Sequence, residues 1–141
     1  MRINSKIRYG LRTMIEIACS KEPNGMLQKD IAKNQNISLK YLDPIILALK
    51  LKGLLANSKG KGSGYILAIP ADRITMYDIY TAFEQITIIE CINNCGFCER
   101  EIHECKAKNY WSEFKDEFSE LLRKKTLTQI MKGTNCECRT F

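Results

Sequence analysis

The chain has 141 residues, of which 45% are hydrophobic, and a formal net charge of +6 at pH 7. This length suits one domain with at most one protruding element, and this hydrophobic content suits a packed core rather than a disordered chain. No apolar run approaches the roughly 18 residues that a membrane-spanning helix requires, so the sequence predicts no such helix.

The N-terminal sequence and the cysteine content indicate the compartment. Residues 1–8 contain no apolar signal-peptide core, so we expect a cytoplasmic protein. The chain has seven cysteines, which is an odd number. Without an export signal, this content argues against a disulfide scaffold and favours metal binding or redox chemistry.

Charge is distributed unevenly along the chain. Residues 1–70 carry twelve Lys and Arg against four Asp and Glu, a net charge of +8. Residues 71–141 carry ten against twelve, a net charge of −2. A basic half joined to a mildly acidic half indicates that the first half meets a polyanion, although a solvated basic face would give the same count.

The hydrophobic pattern predicts three helices in the first half. Apolar residues recur at spacings of three and four over residues 5–20, as in an amphipathic helix. A short second helix is predicted over 27–34, and a third over 39–52 with Ser38 as its N-cap. Pro44 lies inside the third segment, where it removes one backbone hydrogen bond, so we expect a slight kink there.

Residues 54–67 predict a β-hairpin in which two short apolar segments flank a tip with Lys59, Gly60 and Lys61. The glycines invite a nucleotide-binding interpretation, but their spacing is not that of a P-loop and no helix follows them. Three helices followed by a hairpin with a basic tip make a winged helix-turn-helix domain, which we place at residues 1–84. In such a domain the third helix enters the major groove of DNA and the hairpin forms the wing.

The second half predicts a fourth helix over 72–84, a cysteine-rich sensor loop over 85–109 and a long helix over 110–132. One side of the long helix carries Trp111, Phe114, Phe118, Leu121, Leu122 and Ile130. A single helix that leaves a small domain cannot bury such a stripe alone, so we expect it to hold a homodimer together. Residues 133–141 are expected to form a mobile tail. The predicted fold class is therefore mainly α, with a two-stranded β wing.

Four of the cysteines lie within fifteen residues, from Cys91 to Cys105, and Cys95 and Cys98 form a C-x-x-C motif. Thiolates select zinc, copper(I) or iron–sulfur clusters, so this density favours a metal centre. The spacing alone does not identify the metal. A zinc site and a metal-free thiol switch stay open. A thiol oxidoreductase that uses Cys95 and Cys98 is less favoured, because the βαβ pattern of thioredoxin-like sites is absent.

The chain also resembles a known family. The segments that carry the resemblance are residues 8–12, 30–32, 37–42, 49–54, 62–67 and 74–79. In this order they are similar to the Rrf2 family of bacterial winged-helix regulators, which includes regulators that sense iron–sulfur clusters and nitric oxide. The resemblance runs from residue 1 to about residue 130. It implies a transcriptional regulator, not an enzyme, that binds a palindromic site in double-stranded DNA as a homodimer.

The resemblance also implies a cofactor. Iron–sulfur members of the family carry three cysteine ligands ahead of a tryptophan, and Cys105 with the tryptophan six residues later matches the end of that pattern. Cys91 and Cys98 then match the other two ligands of a [2Fe–2S] or [4Fe–4S] cluster. Cys95 is an additional candidate ligand. Lys108 stands where some members have a histidine, so the fourth ligand and the nuclearity stay open.

The predicted DNA contacts fall into three groups. The exposed start of the third helix, assigned to the major groove, holds Ser38, Lys40, Tyr41 and Asp43. The wing contributes Lys59, Gly60 and Lys61. The basic residues near the first helix are Arg2, Lys6 and Arg8. The resemblance places Lys59 where relatives carry an arginine that enters the minor groove, and lysine lacks the planar fork of arginine.

Overall fold

The structure is a computed structural model that describes residues 3–94, 98 and 105–133. These residues form a mainly helical chain with one two-stranded sheet, as the sequence predicts. In chain order the elements are α1 (Ser5–Cys19), α2 (Gln28–Gln35), α3 (Leu39–Leu51), β1 (Leu55–Asn57), β2 (Tyr65–Leu67), a 3-10 turn (Ala71–Arg73), α4 (Met76–Thr81), α5 (Glu90–Asn93), α6 (Lys106–Arg123) and α7 (Leu127–Lys132).

The predicted first helix is confirmed as α1. It begins after Asn4, whose Oδ1 accepts a hydrogen bond of 2.8 Å from the backbone N–H of Lys6. This bond satisfies one of the first N–H groups of the helix, which have no carbonyl partner within the helix itself. Its buried residues recur at helical spacing and face the core. Gly10 lies on that face, because a Cβ atom there would come within 2.4 Å of the Phe83 ring. A larger residue would therefore push α1 away from the segment after α4.

The predicted third helix is also confirmed, as one continuous element. Ser38 is its N-cap, and the Ser38 Oγ accepts a hydrogen bond of 3.1 Å from the backbone N–H of Tyr41. The helix runs through Pro44 without interruption to Leu51. Gly53 follows its C-cap with a φ of 78°, a left-handed conformation that glycine adopts without a Cβ penalty.

The hairpin is paired as predicted and is also attached to the helices. β1 and β2 are antiparallel, with Leu55 opposite Leu67 and Asn57 opposite Tyr65. The backbone of Tyr65 also exchanges two hydrogen bonds with Met26, at 3.0 and 2.8 Å. The root of the wing is therefore fixed to the residues that lead into α2.

The prediction of one helix over 72–84 is wrong in its extent. The chain makes a 3-10 turn at Ala71–Arg73, becomes extended at Ile74, and starts α4 at Met76. A reciprocal capping box causes the new start: Thr75 Oγ1 accepts from the Asp78 N–H at 3.2 Å, and Asp78 Oδ2 accepts from the Thr75 N–H at 2.8 Å.

The prediction of one helix over 110–132 is also wrong. Helix α6 ends at Arg123, and a second capping box, between Thr126 and Gln129, starts α7. The backbone N–H of Leu127 donates to the Ile74 carbonyl at 2.7 Å, and the Leu127 side chain is 0% exposed. The chain therefore folds back onto the N-terminal domain. The predicted mobile tail, apart from Gly133, lies outside the described residues.

The described residues bury two neighbouring hydrophobic clusters. The larger gathers side chains of α1, α2, α3, the wing root, α4 and α7. The smaller contains Ile7, Tyr80 and Ile86, with Phe118 and Leu122 of α6 packed against it. The clusters thus join both halves of the chain into one framework.

Among the helices of the described ranges, none is long and apolar enough to cross a membrane.

The position of α7 predicts the stability of one variant. Replacing Leu127 by alanine removes a fully buried side chain, so we expect a loss of about 2–5 kcal/mol in the free energy of unfolding. Leu47→Ala is the matched control, because Leu47 is 57% exposed and its loss should change that free energy by less than about 0.5 kcal/mol. Urea denaturation followed by circular dichroism measures both. Equal stability of the two variants would show that α7 is not part of the core.

Candidate nucleic-acid interface and cysteine segment

The start of α3 presents polar side chains away from the core. Ser38, Lys40 and Asp43 are exposed, whereas Leu42 on the opposite side is buried. The Ser38 oxygen is used as a helix cap, which leaves its hydroxyl proton as a donor. An ammonium donor and a carboxylate acceptor thus stand one turn apart at the exposed end of a rigid helix.

Tyr41 was predicted to face the major groove, but its hydroxyl is used within the protein. It donates to Ser5 Oγ at 2.9 Å, and the Tyr41 ring meets Tyr9 edge-on with centroids 5.5 Å apart. The guanidinium of Arg12 lies 5.2 Å from the centroid of the Tyr9 ring. Tyr41 therefore holds α3 against the start of α1, and its hydroxyl proton is already used within the protein.

Gln28 is a residue that the sequence reasoning missed. Its Nε2 donates to Asp43 Oδ1, and its Oε1 accepts a hydrogen bond of 3.1 Å from the Tyr65 hydroxyl. These partners lie 15 and 37 residues away in the chain. No local pattern could have identified this contact, because only the packing of α2 against α3 and β2 creates it.

The other predicted DNA-contact residues lie at the start of α1 and at the wing tip. Lys6 and Arg8 are exposed on α1, whereas Arg2 lies outside the described residues. The tip residues Lys59, Gly60 and Lys61 are all exposed. Gly60 has a φ of 111° with open space around its Cβ position, so the backbone conformation and not crowding favours glycine there.

Among the described residues, the lysines and arginines of α1, α3 and the wing tip form no ion pair with a carboxylate. Within the described ranges, the single ion pair joins Arg123 to Glu120 on α6, at 3.0 Å. These lysines and arginines are therefore available to pair with an external anion. This arrangement has the electrostatics of a phosphate-binding surface.

The cysteine segment is described at its two ends and at Cys98. Cys91 is half-buried in α5, Cys105 is half-buried at the N-cap of α6, and Cys98 is exposed. Cys95 lies outside the described residues. Thiolates are suitable ligands for iron and zinc, so these three residues could serve as metal ligands. In the part of the chain that the structure describes, however, no three Cys, His, Asp or Glu side chains converge into a group that could hold a metal ion.

A short hydrogen-bonded link joins the cysteine segment to α6. Asn93, two residues after Cys91 in α5, donates through Nδ2 to Thr87 Oγ1 at 3.0 Å. Asn93 Oδ1 accepts from the Lys115 ammonium at 2.7 Å. Because this hydrogen bond joins α5 to α6, a displacement of α5 would also displace or break its contact with α6.

The predicted apolar stripe of the long helix is divided between two faces. Phe118 and Leu122 pack inward, and the Phe118 ring meets Tyr80 edge-on at 6.2 Å between centroids. Tyr110 and Leu121 point outward, with 60% and 59% of their surface exposed, and Phe114 lies between them at helical spacing. Ile130 belongs to α7 instead. The outward face, defined by Tyr110, Phe114 and Leu121, also carries the exposed Glu117 and lacks a cover within the described chain.

Comparisons with known proteins agree with this architecture. The chain matches the family model "Rrf2: Iron-dependent Transcriptional regulator" over residues 3–133. Protein rrf2 of Nitratidesulfovibrio vulgaris is 31% identical over 136 residues, which cover 96% of this chain and 90% of that protein. The HTH-type transcriptional regulator IscR of Cronobacter sakazakii is 28% identical over 131 residues, 93% of this chain and 80% of IscR.

A solved structure shows the same fold. CymR, described as the global cysteine regulator of B. subtilis, superposes with a TM-score of 0.72 at 31% identity, covering 96% of this chain and 99% of CymR. The winged helix-turn-helix prediction is thereby confirmed. The family match spans the helices, the wing and the cysteine segment, so the chain belongs to the Rrf2 family and is a DNA-binding transcriptional regulator, not an enzyme.

Proposed function

We propose that the protein is a homodimeric regulator that reads a palindromic DNA site with α3 and responds to an iron–sulfur cluster or redox signal at its cysteine segment. The observation that carries the proposal is the set of exposed cations on α1, at the start of α3 and at the wing tip, which form no ion pair among the described residues, within a chain that matches its family from residue 3 to residue 133. The proposal has three parts, which concern DNA readout, dimerisation and sensing.

Readout is assigned to α3 and phosphate contact to its surroundings. Lys40 can donate to guanine O6 and N7, and Asp43 can accept from an exocyclic amino group in the major groove. Ser38 donates through its hydroxyl. The cations of α1 and the wing tip contact phosphates, which fix the register of α3 but carry no sequence information. These cations are Arg2, Lys6, Arg8, Lys59 and Lys61, with the Gly60 backbone close to the DNA.

Dimerisation is assigned to the outward face of α6. Tyr110, Phe114 and Leu121 line one side of a helix whose other side is already packed, and the rings of Tyr110 and Phe114 contact Trp111 edge-on at 5.2 and 6.2 Å. A second copy of α6 would remove this apolar face from water. Two α3 helices related by a twofold axis would then require a palindromic operator.

Sensing is assigned to Cys91, Cys98 and Cys105, with Cys95 as an additional ligand. The family description names iron, and thiolates are the ligands that iron–sulfur clusters use. A bound cluster would supply a redox-active centre at this segment. The chain's own contribution is the link from α5 to α6 through Asn93 and Lys115, which connects the segment to the proposed dimer helix.

A second candidate keeps the fold and replaces the cluster by a zinc site or a thiol switch. It is favoured by the exposure of Cys98, whose thiol is open to solvent and to solvent-borne oxidants or metal ions. Anaerobic purification distinguishes the candidates. Brown protein with iron and acid-labile sulfide supports the cluster, and colourless protein, with or without zinc, supports the alternative.

Cysteine variants test the ligand assignment. We expect Cys91→Ala, Cys98→Ala and Cys105→Ala each to abolish stable cluster binding, because each removes one thiolate. Cys95→Ala should leave a cluster that is spectrally altered or more labile. Cys19→Ala in α1 is the control and should bind as much iron and sulfide as the unsubstituted protein. Anaerobic reconstitution with iron and sulfide counting gives the result, and full occupancy in Cys105→Ala would refute the assignment.

Lysine variants separate readout from phosphate contact. Lys40→Ala should change sequence preference, at about 1–3 kcal/mol per lost base contact. Lys61→Ala should weaken binding to all duplexes about equally and lower the salt dependence by about one released counterion. Affinities for a set of duplexes at several salt concentrations measure both effects. Lys132→Ala at the end of α7 is the control. A changed preference in Lys61→Ala alone would make the wing the reader.

Leu121→Glu tests the dimer. A carboxylate on the outward face of α6 would be buried unpaired in the proposed interface, which is costly, so we expect monomers and poor operator binding. Leu51→Glu is the matched control, because Leu51 is 79% exposed at the end of α3. Sedimentation velocity measures the oligomeric state. A Leu121→Glu variant that sediments as a dimer as stable as the unsubstituted protein would contradict the assignment.

A further inference from the structure

We propose that Gln28 is a positioning residue for DNA recognition, which fixes the carboxylate of Asp43 so that α3 selects a base with an exocyclic amino group. The operator preference would then depend on a side chain outside the recognition helix. This inference rests on the proposed base-reading role of Asp43.

The orientation of the Gln28 amide follows from its two partners. Gln28 is the first residue of α2 and is half-buried, so its side chain is held close to α3 and β2. The Tyr65 hydroxyl donates to Gln28 Oε1 at 3.1 Å, which assigns the oxygen end of the amide to Tyr65. The Nε2 end then faces Asp43, where it donates to the carboxylate oxygen Oδ1. The Asp43 carboxylate only accepts hydrogen bonds, so it requires the donor end of the amide, and the Tyr65 hydroxyl supports that orientation by donating to the other end.

Tyr65 is itself held in place. Its backbone exchanges two hydrogen bonds with Met26, and the Lys50 ammonium lies 5.7 Å from the centroid of its ring. The wing strand, the start of α2 and the recognition helix are therefore connected through one side chain, Gln28. The contact fixes an otherwise exposed carboxylate in advance, which reduces the conformational entropy that binding would cost.

The hydrogen bond also determines what Asp43 can recognise. An ionised carboxylate only accepts hydrogen bonds, and Gln28 occupies Oδ1. The oxygen Oδ2 is left to meet a donor in the major groove, which is cytosine N4 or adenine N6, with cytosine the usual partner of a carboxylate. The carbonyl oxygens of guanine and thymine would face a negative charge. We therefore expect selection for an amino-bearing base at one position of each half-site.

The experiment compares Gln28→Leu, Tyr65→Phe, Asp43→Ala and the double variant Gln28→Leu/Asp43→Ala in the full-length chain. Selection from a random duplex library defines the operator of the unsubstituted protein, and affinities for all single-base changes are then measured at one salt concentration. Asp43→Ala should reduce the preference at one position by about fivefold or more. Gln28→Leu should reduce the preference at that same position, and Tyr65→Phe should do so more weakly.

Two further readouts separate positioning from a merely structural role. In the Asp43→Ala background, Gln28→Leu should cause no additional change, because it acts only through that carboxylate. Affinity for non-operator duplexes should stay within about twofold of the unsubstituted protein, since phosphate contacts are intact. Gln85→Leu, at an exposed glutamine remote from α3 in sequence, is the matched control and should change neither quantity.

Several results would overturn the inference. If Asp43→Ala changes the preference and Gln28→Leu does not, Asp43 reads DNA without Gln28, and the proposed function survives. If Gln28→Leu weakens binding to all duplexes equally, the role of Gln28 is structural. If Asp43→Ala leaves every preference intact, both the inference and the base-reading assignment are wrong. Should Gln28→Leu fail to fold, Tyr65→Phe removes only one hydroxyl, and an unchanged preference in that variant counts against the inference.

Discussion

The pair of backbone hydrogen bonds between Met26 and Tyr65 is the contact on which the nucleic-acid surface depends. It fixes the root of the wing to the segment ahead of α2, so the base of the hairpin is attached to the helices. Glycine makes the contact possible, because a Cβ atom on Gly64 would come within 2.3 Å of the Met26 carbonyl group. A short two-stranded hairpin is marginal alone, and this third connection stabilises it.

The same contact places side chains that have no local relation in the sequence. Tyr65 meets Gln28, and Gln28 meets Asp43, so β2, the short helix α2 and α3 share one polar network. On the other side of α3, Tyr41 reaches Ser5 of α1. The start of α3 is thus held from both sides. A helix held in this way can discriminate between bases, because its donors and acceptors need little reorganisation on binding.

Helix α6 connects the other parts of the molecule. Its inner side packs on Tyr80 through Phe118, its outer side is apolar and exposed, and Lys115 bonds to the helix that holds Cys91. In the dimer proposed above, a two-sided helix of this kind would transmit a change in the cysteine segment to the interface between the two copies. The capping box at Thr126 ends the straight run and returns the chain to the core, so the apolar face is limited to α6 itself.

The sequence alone determined the order and type of the main elements. Helical periodicity, the Ser38 cap and the glycine-rich hairpin are local signals, and they predicted α1, α3 and the wing closely. The cysteine spacing predicted metal or redox chemistry, but no local pattern could identify the metal. The tertiary structure decided the rest. Thr75 and Thr126 are cap-type residues in the sequence, but apolar periodicity continued through both positions, so the structure was needed to show that the helices start anew there. Which face of α6 is packed, where the Tyr41 hydroxyl points and what Gln28 touches depend on contacts between segments far apart in the chain, and no window of the sequence contains them.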